Sequence, residues 1–145
     1  MDTKIPELLK NSIDLKKATV DSFCHTIDAL KSSEQDGLSI DLATKLIFFT
    51  NFGMITGNLL DSYLPKSDEE KMIERFHEGV FMFRDSQLNK SFDEEDITEI
   101  LNKTGCIALT NVEVSYHANP SNVQMLPYLL LFSDQVVGLT FGKKA

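Results

Sequence analysis

The chain has 145 residues, 42% of them hydrophobic, which is the size and composition of one domain with a core that needs no disulfide or metal. Acids outnumber bases 22 to 14, for a net charge of −8. Nucleic acid and anionic membrane are held largely by lysine and arginine, so this balance argues against both as general partners. Arg75 and Arg84 are the only arginines, and no basic run stands out.

Cys24 and Cys106 are the only cysteines and form no C-x-x-C pair. Lys4, Asp14, Lys16 and Lys17 interrupt the first apolar positions, so no secretory signal pattern is read there. The longest apolar stretches, Leu46 to Phe49 and Leu129 to Phe132, are too short to span a bilayer. The expectation is a cytoplasmic protein with free thiols and no membrane span. With ten phenylalanines and no tryptophan, phenylalanine is expected to supply the aromatic packing of the core.

Residues 1–35 read as an N-terminal helix. Pro6 suits an early helical position, and Leu9, Ile13, Val20, Phe23, Ile27 and Leu30 follow a three-four spacing. Lys16 interrupts that stripe, and Ser12 offers a cap for a later-starting helix. A short coiled coil is one reading of the stripe; an amphipathic helix on its own domain's core is the other. Ser32 to Gly37 reads as a loop.

Residues 38–61 are a β-hairpin region. Strands near 45–51 and 54–61 flank Asn51-Phe52-Gly53, and Gly57 inside the second strand marks a bulge or bend. A buried helix through 40–50 is the competing reading.

Residues 67–104 are a helical insertion. Ser67-Asp68-Glu69-Glu70 fits a capping box, and Met72, Phe76, Val80 and Phe83 share a face. Ser91-Phe92-Asp93-Glu94 repeats the capping pattern, predicting a second helix with Ile97, Ile100 and Leu101 buried and Thr104-Gly105 as its stop. Residues 106–142 return to β structure. Strands are predicted at 107–114, 128–132 and 136–141, with 118–122 as a turn or loop around Pro120. The fold class is α+β: an N-terminal helix and a strongly bent antiparallel sheet or small barrel of about five strands, with a two-helix insertion, in a single domain spanning 1–145.

The acids Asp93, Glu94, Glu95, Asp96 and Glu99 are the densest charged feature, but they lack the spacing of a calcium loop and suit a helix start. His25, His77 and His117 form no H-x-x-x-H pair. Cys24-His25 invites a nucleophile–base reading, yet adjacent helical residues point about 100° apart, so Cys24 reads as core. Cys106 reads as a small packed hydrophobe. Gly53-Met54-Ile55-Thr56-Gly57 lacks the lysine of a phosphate loop. No catalytic, cofactor-binding or metal-binding residue is assigned, and no cofactor is expected.

The run Ile47 to Leu59, with Gly53 and Gly57, resembles the first motif of Sm-like barrels, and Ile107 to Glu113 resembles the strand closing that motif. Leu130 to Val137 resembles the second motif, where a tight turn joins the last two strands. The positions corresponding to that family's RNA-contacting asparagine and arginine-glycine pair are Cys106 and Phe132-Ser133, so the resemblance implies a scaffold and not RNA binding. A second likeness, to the gas vesicle accessory protein U family, covers the N-terminal helix, the hairpin, the acidic helical insertion and the ending Val137 to Gly142. It implies a non-catalytic, self-associating bacterial cytoplasmic protein. The apolar helix stripe, together with hydrophobic strands that leave edges able to pair with another chain, motivates the expected function: a non-enzymatic oligomeric scaffold or adaptor, with a homo-oligomer or another protein as partner. The alternatives are a small-molecule-binding domain or enzyme with a phenylalanine-lined apolar pocket, and an RNA-binding Sm-like module.

Overall fold

The computed structural model describes residues 13–34, 37–94 and 104–143. They fall into two compact units: Leu15–Lys66 with Thr104–Ala145, and Met1–Asp14 with Ser67–Lys103.

The first unit is a helix on an antiparallel sheet. Helix α1 (Leu15–Ser32) precedes strands β1 (Lys45–Thr50), β2 (Gly53–Leu59), β3 (Cys106–Tyr116), β4 (Asn119–Phe132) and β5 (Val136–Gly142). A 3-10 turn, Ser133–Gln135, links the last two. The sheet order is β4-β3-β2-β1-β5. Since β4 and β5 lie at opposite edges, the sheet is open, and the barrel form of the expectation does not occur. The buried helix considered for 40–50 is not present either, because Lys45–Thr50 is a strand.

Residues 1–12 lie outside the described part, so the expected contributions of Pro6, Leu9 and Ser12 do too. Val20, Cys24, Ile27 and Asp28 form the buried face of α1, spaced as one stripe of a 3.6-residue helix. That face packs on Leu46, Phe48, Ile55, Leu109 and Val112 in one core cluster, which identifies the stripe as core and not as a coiled-coil seam. The Lys16 ammonium, which broke the pattern in the sequence, donates to the Val136 carbonyl at 2.8 Å. At the other end of α1, Lys31 donates to the Thr44 carbonyl at 2.6 Å. Two lysines thus fasten the helix to the chain at the start of β5 and just before β1.

The hairpin forms where Gly53 predicted it. Thr50 is buried, and its hydroxyl donates to the Gly53 carbonyl at 2.8 Å while accepting the Gly53 N–H at 3.1 Å. A Cβ at Gly53 would collide with the Ser115 carbonyl of β3, so glycine is required here by close approach of two backbones. Gly57 falls where β2 and β3 slip register, between Thr56↔Glu113 and Asn58↔Thr110. The extra residue is on β3: Asn111 takes a left-handed φ of 51°, a conformation asparagine tolerates. The slip moves the inward set of β3 from Ile107 and Leu109 to Val112 and Val114.

Two expectations are corrected in β4 and among the phenylalanines. The segment 118–122, read as a loop, is a two-residue turn followed by a strand that begins at Asn119. Pro120 and Pro127 are admitted because β4 is an edge, where a missing N–H costs little. Only Phe48 is fully buried, whereas Phe49, Phe52, Phe132 and Phe141 of this unit are exposed. Aliphatic residues fill the core instead.

The second unit contains α2 (Asp68–Glu94), a single 27-residue helix among the described residues. Its capping box forms as the sequence implied: Glu70 N–H donates to the Ser67 hydroxyl at 3.2 Å, and Ser67 N–H donates to the Glu70 carboxylate at 3.3 Å. The separate helix expected to open at Ser91 does not start there, since α2 runs through Ser91 to Glu94. Good helix formers and the lack of proline or glycine from Val80 onward leave no break. Ile97, Ile100 and Leu101 lie outside the described residues.

Replacing Gly53 by alanine is expected to destabilise the first unit by about 1–3 kcal/mol through overpacking against Ser115. A lowered urea midpoint at unchanged slope is the expected result.

Candidate functional site

Among the described residues, the first unit shows pockets beside α1, and its sheet has β4 and β5 at the edges. A pocket of about 260 Å³ is lined by Asp21, Cys24, His25, Asp28, Asp61 and Tyr63. At its base the buried Asp28 carboxylate accepts the Ser62 hydroxyl at 2.7 Å and the Cys24 thiol at 3.6 Å. Burial, then the negative charge and hydrogen bond of Asp28, push the Cys24 thiol up to about 12. A nucleophile needs the opposite shift, toward thiolate at neutral pH. The neighbouring His25 instead meets Tyr63 edge-on, with ring centroids 5.5 Å apart. Cys24 and His25 therefore form no dyad, and this pocket anchors α1 through hydrogen bonds.

The other predicted candidates are dispersed. His77 lies on α2 beside Phe81, with centroids 4.6 Å apart. The His117 N–H closes onto the Phe52 carbonyl at 3.0 Å, tying the β3–β4 turn to the β1–β2 turn. Asp93 and Glu94 lie in the last described turn of α2, not in a first helical turn; Glu95, Asp96 and Glu99 lie outside the described residues. No group of three or more potential metal ligands occurs among the described residues. None of the described helices is long and apolar enough to cross a membrane.

Cys106 and Phe132 are cross-strand partners in β3 and β4, so the flagged positions do come together at one end of the sheet. Ser133 beside them is buried, and its N–H donates to the Gly105 carbonyl at 2.9 Å. Neither Cys106 nor Ser133 is a cation, and the pair supplies no phosphate contact.

Another concavity is a mostly apolar groove of about 330 Å³ between α1 and β5, lined by Leu15, Thr19, Val20, Val136, Val137 and Leu139, with Lys16 also on its wall. No phenylalanine lines this groove. It runs beside the free edge of β5, where Val137 is 63% exposed. At the opposite edge, β4 is exposed from Asn119 through Met125, with Val123 and Met125 presented to solvent.

Both edges share a chemical property. In a chain with 25% charged residues, none of the 14 residues of β4 and none of the seven of β5 carries a charge. Sheet edges that must stay single are usually blunted by lysine or inward-pointing charge. The sequence reading anticipated hydrophobic edges but placed the start of β4 nine residues late. The signal available was the absence of any acid or base between His117 and Asp134.

The weakened acidity of the Cys24 thiol gives a checkable sign. The folded state holds the Cys24 proton above about pH 9, where the unfolded thiol has lost it. This contribution is complete below pH 9 and is lost as pH rises toward 12, at up to ~1.4 kcal/mol per pH unit. Urea titrations should show that alkaline loss, and Cys24→Ala should flatten it. No protein-family model, curated protein or solved structure matches the chain.

Proposed function

We propose that the chain is a non-enzymatic scaffold or adaptor that self-associates, with the β5 edge of one copy pairing with the β4 edge of the next. The carrying observation is the charge-free character of both edges in a protein of net charge −8. An unpaired edge presents N–H and C=O groups that another strand satisfies, and nothing charged on β4 or β5 opposes such pairing.

The groove beside β5 supports the same reading. A strand added to β5 lies along Val137 and Leu139, and its side chains on the α1 side fall into the apolar space bounded by Leu15 and Val20. Val123 and Met125 on β4 are apolar residues of suitable kind for that space. The two edges are unlike, so the contact is head-to-tail, a geometry that closes into a ring or continues as a filament. The likenesses to Sm-like barrels and to the gas vesicle accessory family also imply a non-catalytic protein, the second one a self-associating cytoplasmic one.

Sedimentation velocity at micromolar concentration tests the proposal. The wild-type chain is expected to exceed monomer mass, and Val137→Lys combined with Met125→Lys is expected to return it to monomer while leaving the far-ultraviolet circular dichroism unchanged. A wild-type chain that stays monomeric, alone and with candidate protein partners, overturns the reading.

A further inference from the structure

We draw no further inference here: the strongest candidate, the acidic pocket that Asp21, Asp28 and Asp61 line between α1 and the segment after β2, carries nothing, because Lys17 pairs with Asp21, Ser62 and Cys24 already hold the buried Asp28 carboxylate, and no second observation points to a ligand.

Discussion

The first unit depends on the shift of phase in β3. Side chains alternate along a strand with a period of two, so a strand pairing on both sides can keep one face inward only while its register holds. Here the inward residues are Ile107 and Leu109, then Val112 and Val114, two odd positions followed by two even ones. Asn111 absorbs the difference in a left-handed conformation. Gly57 faces it across the slip, where any Cβ would crowd the Thr110 carbonyl at 3.2 Å. Without that pair of residues, one half of β3 would present its polar or exposed positions to α1.

The helix is placed by the same surface. Val20, Cys24 and Ile27 meet a sheet face built from β1, β2 and β3, and the only carboxylate on that stripe, Asp28, is satisfied by Ser62 and Cys24. Among the described residues, no buried side-chain nitrogen or oxygen lacks a hydrogen-bond partner. The carboxylate beside this cysteine thus favours the protonated thiol, and the same carboxylate fixes the loop after β2.

Much of this was legible in the residues. The Thr50–Gly53 turn, the Gly57 irregularity, the capping box at Ser67 and the helix stripe from Val20 all rest on local stereochemistry, which sequence reports directly. The beginning of β4 was not legible, because Asn119-Pro120-Ser121-Asn122 has turn composition and only its position at an edge makes it a strand. Nor was the continuity of α2 through Ser91, since a capping box is permissive inside a helix when nothing breaks the ladder. The core's aliphatic character was hidden by composition: Phe48 is the one phenylalanine that the α1-facing alternation buries completely, while Phe49 beside it points to the other face. As for the candidate site, hydrophobic edges were foreseen, but their location depended on strand order, which no local pattern carries.

The Lys16 ammonium has a bearing on how the start of β5 is held. It already occupies the carbonyl of Val136, the first residue of β5. That acceptor is therefore already engaged by the helix, while Val136 to Gly142 are held along their other side by β1. One side chain on the helix thereby ties the first residue of the edge strand to α1, so the strand's start cannot peel from the sheet without breaking a charge-assisted bond.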